Sequence, residues 1–291
     1  MPQRPRSRSE PMLPCRIRLS DGRMFEGALP AARHRRVHLG MLHAGSVGFV
    51  EMGRGIRTDD GEIRWDDRGH VESFLHLGGN DRINWLDVLD GRMRSYLSWT
   101  RCEVMVAPSV RSRPSEMSDA VAYTNWLWVD VDRAAAVPRL RRFLEDHPAH
   151  LRIEPGDGIG EHVYWRLARP LPAAELNPRS GGVHEWIDRA NLRLAAAIGE
   201  WEDDTAAARL LGADVERADR SQLMELAGAP NHEHQRWARI VEADFALPPY
   251  SLKDLVGDLP DMHDLFVQHR LGAVDGDPDP DASAPVTQLV S

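Results

Sequence analysis

The chain has 291 residues, 42% hydrophobic and 28% charged, enough for one large domain or two small ones and for a sizeable core. No apolar run approaches the ~18 residues of a bilayer-spanning helix, and the Arg-rich N-terminus lacks the apolar segment of a secretory signal, so no membrane partner is expected. A net charge of −9 argues against a surface that coats nucleic acid wholesale, and two cysteines without metal-ligand spacing, Cys15 and Cys102, point to reduced thiols in a cytoplasmic protein.

The charge is unevenly spread. Residues 1–36 carry nine arginines against three acids, and "MPQRPRSRSEPMLP" at their start has almost nothing to bury. We therefore expect a basic, flexible arm over 1–36, either simply solvated or helping to hold a template through Arg33, Arg35 and Arg36. "GSVGFVEM" (45–52) and "GEIRW" (61–65) read as strands separated by a Gly/Asp turn. "INWLDVLDGRMRSYL" (83–97) has helical spacing, weakened by Gly91, and "CEVMVAP" (102–108) alternates into a strand that Pro108 ends. "TNWLWVDV" is apolar enough to be a strand buried on both faces. "VPRLRRFLEDH" (137–147) is a helix with Pro138 in its first turn. "EHVYWRL" (161–167) is a strand, and "VHEWIDRANLRLAAAIGEW" is a helix with Trp186, Ala190, Leu194 and Ile198 on one face. "RWARIVEA" (236–243) closes the series as a strand. The fold class is α+β around a central sheet, with a core over 37–245. Beyond it we expect a short helical extension (246–271) and an acidic, disordered tail (272–291); residues 241–291 carry ten acids against Lys253 and Arg270.

Three features carry chemistry. The first is "WVDVD". Side chains two apart on a strand share a face, so Asp130 and Asp132 project together while Val131 points the other way. Like charges this close need a positive partner, and oxygen ligands suit Mg²⁺ or Mn²⁺. A D-x-D also arises where a strand simply ends and its carboxylates cap the next turn. The second is "GDGIGEHVYW". Glycines 156, 158 and 160 let backbone N–H groups approach a phosphate beside His162, or they form an ordinary hairpin turn. The third is "ADRSQLMELAGAPN", where Asp219 is either a helix cap or a third carboxylate.

Taken in order, these features resemble the archaeo-eukaryotic primase superfamily, and within it the RepB-type primase or primase-polymerase domain of plasmids, phages and mobile elements. In such domains the first motif reads like "WVDVD". The second reads like S-G-x-G-x-H-x-Y-W, against "DGIGEHVYW" here. The third reads like D-P-S-R-x-x-R-L-P-G-T-x-N, against "DRSQLMELAGAPN", with spacing kept throughout. The upstream "CEVMVAPSVRSRPSE" resembles the strand and Arg-rich turn that precede the acidic motif, and the likeness runs from about Val47 to Ala243. The resemblance implies an N-terminal αβ unit plus an RRM-like sheet with the active site between them. It implies metal ligation by Asp130, Asp132 and Asp219, and phosphate contact by His162. Nucleotide binding would involve Gly158, Gly160, Asn231 and Arg113. The implied activity is Mg²⁺- or Mn²⁺-dependent, template-directed nucleotidyl transfer, a DNA primase or polymerase in replication of a mobile element. Its partners would be a single-stranded DNA template, nucleoside triphosphates and a separate helicase or replication protein. A non-catalytic DNA-binding initiator or decayed primase is one alternative, and a metal-dependent nuclease is another.

The sequence also departs from the family pattern. Asp157 stands in place of the Ser before the second motif, Gln222 and Glu225 in place of two arginines, and Ala227–Gly228–Ala229 in place of Pro-Gly-Thr. A carboxylate facing a triphosphate where a guanidinium is expected costs about a few kcal/mol. Either another arginine (Arg111, Arg113, Arg209, Arg217 or Arg220) takes that role, or nucleotide binding is altered.

Overall fold

The computed structural model describes residues 10–57, 63–72, 85–97, 102–131, 136–158, 160–173, 175–176, 183–184, 186–202, 209–211, 213, 216–232 and 234–259. Asp132, Ile159 and residues 260–291, including the expected acidic tail, lie outside them. Among the described residues no helix is long and apolar enough to cross a membrane.

An eleven-stranded sheet runs through the molecule. It begins with a hairpin, β1 (Met12–Arg18) and β2 (Met24–Pro30), followed by helix α1 (Ala31–His43). Strands β3 (Phe49–Arg57) and β4 (Ile63–Glu72) form a second hairpin, and helix α2 spans Trp85–Leu97. Then come β5 (Glu103–Val106), the two-residue β6 (Val110–Arg111) and the long β7 (Val121–Val131). Helix α3 (Val137–Asp146) leads to β8 (Leu151–Glu154) and β9 (Glu161–Pro172), and helix α4 spans Trp186–Ile198. The strand Arg239–Asp244 completes the sheet, and a short helix, α5 (Leu252–Val256), follows. The spatial order runs from Met224–Glu225 through β5, β3, β6, β7, β9, β8 and Arg239–Asp244 to β1 and β2, with β4 on β3. Among the described residues the strand pairings of this sheet are antiparallel except that of β1 with Arg239–Asp244, and an isolated parallel bridge joins Leu167 to Tyr250. The α+β expectation therefore holds.

Strand β7 anchors this sheet. Residues 126–131 are all buried, and β7 pairs with β9 from Trp126↔Arg166 to Val131↔Glu161. One face of the pair meets α1, where Trp126 Nε1 donates to Leu42 O at 3.0 Å. The opposite face meets α3, where Trp165 Nε1 donates to His147 O at 2.9 Å and stacks edge-on against Phe143. Helix α4 packs beside α3 with Ile187, Ala190, Leu194 and Ile198 buried at helical spacing. It stops before Gly199, and Trp201 falls in a separate strand, Glu200–Glu202.

The N-terminal segment corrects one expectation. Residues 12–30 are not a flexible arm but the β1–β2 hairpin, residues 31–36 open α1, and residues 1–9 lie outside the described residues. Leu13, Cys15 and Ile17 are buried in alternation with exposed Met12, Pro14, Arg16 and Arg18, so the arginines decorate the outer face of a strand. Of the three arginines suggested for template contact, Arg35 is wholly buried. It donates to Gly228 O at 2.7 Å and pairs with Glu10 at 2.5 Å. Arg36 pairs with Asp87 at 2.6 Å.

Helix α1 buries His34, His38 and His43 beside Leu39 and Leu42. Nδ1 of His34 accepts from Ile240 N at 3.0 Å, leaving Nε2–H to donate to Leu13 O at 3.1 Å, so one neutral imidazole joins β1 to Arg239–Asp244. Burial lowers the pKa of His43 to about 4, and that of His150, aided by the charge of Arg166, to about 4. The unfolded chain protonates these rings near pH 6.5, whereas the folded chain does so only near 4. The contribution of these rings is therefore full above pH 6.5 and falls as the pH drops toward 4, by up to about 1.4 kcal/mol per pH unit for each ring. His43→Gln should gain stability relative to the parent as the pH drops from 7 to 4.5, measured by urea denaturation of both proteins. A pH-independent difference between the two would contradict the buried neutral state.

Candidate active site at the end of strands β7 and β9

The β7–β9 register places Asp130 directly opposite His162. Directly opposed residues of an antiparallel pair project to the same face, so the two side chains meet. Nε2 of His162 lies 3.4 Å from Oδ1 of Asp130, and both side chains are more than nine-tenths buried. One step along the ladder, Trp128 opposes Tyr164 on the same face. The Tyr164 ring is wholly buried, 5.7 Å from the ring of His38. Burial, then the charge of Asp130, pushes the Tyr164 phenol well above its usual range. His38 accepts from Ala227 N at 3.1 Å through Nδ1, and burial lowers its pKa further than the nearby His162 does. Aromatic and imidazole rings thus fill the space beneath Asp130.

A guanidinium closes the other side of the carboxylate. Nε of Arg217 lies 3.0 Å from Oδ2 of Asp130. Arg217 belongs to a 3₁₀ turn, Glu216–Ala218, held by buried groups of β7 and α4. Trp128 Nε1 donates to Arg217 O at 2.9 Å, and Asn191 Nδ2 donates to Ala218 O at 3.2 Å. Asn191 Oδ1 in turn accepts from Trp128 N at 3.0 Å. The third-motif segment is thereby brought to the end of β7.

Asp219 itself is exposed, and its Oδ1 accepts from the N–H (2.6 Å) and the hydroxyl of Ser221, as a turn-capping Asp does. Asp132 lies outside the described residues. Among the described residues no group of three His, Cys, Asp or Glu side chains is arranged to hold a metal ion. The described donors alone, one carboxylate already bound to a guanidinium and one imidazole, do not make a site for Mg²⁺ or Mn²⁺.

The glycine turn leads into β9, the strand that carries His162. Gly158 N donates to Pro155 O at 3.1 Å, and Gly158 has φ +74, a conformation that suits glycine. A Cβ at position 156 would overlap the Asn231 side chain. Asn231 is buried and accepts from His234 N at 3.1 Å, so the structure uses it as a floor for the turn. Glu225 lies beside it. Its Oε2 accepts from Gly156 N at 3.0 Å, and its Oε1 lies 3.4 Å from Asn231 Nδ2. Only 5% of Glu225 is exposed. The carboxylate that looked like an intruder in a phosphate site is a brace for the glycine turn.

The other arginines are placed as follows. Arg111 is wholly buried on Glu51, which also pairs with Arg68. Arg220 pairs with Asp188 at 2.9 Å, and Arg113 is exposed and pairs with Asp119 at 2.8 Å. The side chain of Arg209 lies outside the described residues. Sequence reasoning missed Tyr164 and His38 as parts of the site. The signal for His38 was its i, i+4 spacing from His34 and Leu42.

No protein-family model matches the chain, and no curated protein matches it in sequence. Solved structures do match. The AEP (archaeo-eukaryotic primase) domain of the primase-polymerase of cyanophage S-2L superposes with a TM-score of 0.53 at 12% identity, over 78% of this chain and 97% of that one. This chain has the archaeo-eukaryotic primase-like fold. The primase RepB′ is similar with a TM-score of 0.47 at 13% identity, over 84% of this chain and 65% of that one. The catalytic domain of RepB′ in complex with initiator DNA gives 0.46 at 14% identity, over 85% and 99%. In the primase-like fold of this chain, the first and second motifs meet at the Asp130–His162 pair.

Burial raises the Glu225 pKa to about 7, the Gly156 N–H opposing the shift and the charge of Glu103 adding to it. The folded chain keeps this proton up to pH ~7, whereas the unfolded chain loses it near 4.5. Glu225 therefore favours folding fully below pH 4.5, and this contribution is lost as the pH rises through 7. Glu225→Gln should gain stability relative to the parent as the pH rises from 4.5 to 8, by up to roughly 3 kcal/mol. The difference between the two proteins cancels the histidine contribution. An unchanged difference across that range would show that Glu225 is ionised and solvated.

Proposed function

We propose that this protein is a template-directed nucleotidyltransferase of the primase-polymerase type, acting in DNA replication of a mobile element. The observation that supports this most is the cross-strand pair of Asp130 and His162, buried at the end of the two longest strands of a primase-like sheet. In this reading a 3′-hydroxyl attacks the α-phosphorus of a nucleoside triphosphate. A new O–P bond forms, the bond to pyrophosphate breaks, and the hydroxyl proton leaves to solvent.

The chain's own part is mostly positioning and charge. The β7–β9 ladder holds Asp130 rigidly, because a strand buried on both faces has little freedom to move. His162 lies against that carboxylate and next to the glycine turn, where an imidazole can contact a phosphate oxygen. The turn of glycines 156, 158 and 160, braced by Glu225 and Asn231, leaves backbone close to that position. The described donors do not by themselves hold Mg²⁺ or Mn²⁺; were Asp132 to join Asp130 there, such a cation would offset the charge of the triphosphate. The partners in this reading are single-stranded DNA, nucleoside triphosphates and a separate helicase or replication protein.

A second reading is a non-catalytic DNA-binding protein on the same fold. It is favoured by the commitment of Asp130 to Arg217 and of Asp219 to Ser221.

Primer synthesis and extension on a single-stranded template, with dNTPs or NTPs and with Mg²⁺ or Mn²⁺, separates the two. We expect incorporation that stops on chelation. Asp130→Asn with Asp132→Asn should abolish it while the thermal melt stays cooperative. Template binding without incorporation under every combination would support the second reading, and full activity in the double variant would remove Asp130 and Asp132 from the site.

A further inference from the structure

The guanidinium that the third motif expects near position 225 is missing, and Glu225 in its place is turned beneath the glycine turn. A triphosphate bound beside His162 still needs positive charge at short range. Arg236 lies with its guanidinium against Gly158. The arginines considered for the third-motif role differ sharply in what they offer. Arg111 is sealed in the core with Glu51, Arg220 is drawn toward α4 by Asp188, and Arg113 lies exposed against Asp119. Only Arg217 among these reaches the Asp130–His162 pair.

The position of Arg217 is built. Its carbonyl is bonded by the Trp128 indole, the next carbonyl by Asn191, and the N–H of Arg220 by Asp188 at 2.6 Å. Three hydrogen bonds from β7 and α4 thus fix the backbone, while the side chain crosses to Asp130 with about a fifth of its surface exposed. A fixed root and a partly open head suit an arginine that must meet an anion arriving from solvent. A guanidinium also presents several donors in one plane, so it can bind a phosphate oxygen and a carboxylate together.

We propose that Arg217 is a phosphate-binding arginine of this site. It holds Asp130 in the free protein and binds the phosphates of the incoming nucleoside triphosphate in the complex. It thereby supplies from two residues before Asp219 the charge that position 225 lacks. This rests on the nucleotidyltransferase reading, which supplies the ligand.

Binding of AMP, ADP and ATP, and of the deoxy series, should be measured by calorimetry for the parent, Arg217→Ala and Arg217→Lys. Affinity for single-stranded DNA is measured alongside. In the parent, affinity should rise with phosphate number. Arg217→Ala should weaken triphosphate binding by about ten-fold or more and flatten that rise, with DNA affinity changed by less than about two-fold. Arg217→Lys, which keeps the charge but not the fork, should recover part of the loss. Should Arg217→Ala fail to fold because Asp130 is left without a cation, Asp130→Asn with Arg217→Ala is compared with Asp130→Asn alone. The same loss is expected there. Equal triphosphate affinity with and without Arg217 would overturn the proposal, as would a parallel loss of DNA affinity, which marks a structural role. A parent protein that binds no nucleotide would instead overturn the nucleotidyltransferase reading, and this proposal with it.

Discussion

The register between β7 and β9 is the constraint on which the rest of the structure depends. Both strands are apolar and buried over most of their paired length, so a slip of one residue would turn Trp128, Asp130, Tyr164 and His162 to the wrong faces. That penalty fixes the pairing, and the pairing brings two polar residues from motifs about thirty positions apart into contact. The polar pair sits at the strand ends, buried but in contact with the partly exposed Arg217. The aromatic rows sit behind it because they hold the register. Helix α1 covers one face and α3 the other, so the pair has little room for motion.

A buried carboxylate needs compensation, and the chain solves this twice in different ways. Asp130 is met by the guanidinium of Arg217 and the imidazole of His162. Glu225 is met by a backbone N–H and an amide, with Glu103 nearby, which suits a group that keeps its proton until near neutrality. Asp130 lies against His162, and Glu225 against the glycine turn. One is arranged for charge and the other for support.

Much of this was legible in the sequence, for identifiable reasons. The strands around "WLWVDV" and "HVYW" are long and apolar, and α3 and α4 carry clear helical spacing. The α+β class and the meeting of the first two motifs followed from those elements. The β1–β2 hairpin was hidden because its arginines and Pro14 made a half-buried strand look like an arm. Helix α1 was hidden because its buried face is built from His34, Arg35, His38 and His43, which count as polar in any pattern, yet each of His34, Arg35 and His38 finds a partner in the fold. The role of Glu225 depends on Gly156, 69 residues away, and no local pattern encodes that bond. Arg217 stood among five candidate arginines, and only tertiary contact separates it from the others.

The central claim is that a nucleoside triphosphate binds where Asp130, His162 and Arg217 converge. The most direct measurement is a crystal structure of the protein soaked with a non-hydrolysable nucleoside triphosphate and Mn²⁺, read by anomalous scattering. Triphosphate density is expected against His162 and Arg217, with the manganese signal at Asp130. Well-ordered nucleotide bound elsewhere on the molecule, with the Arg217–Asp130 pair undisturbed, would contradict it.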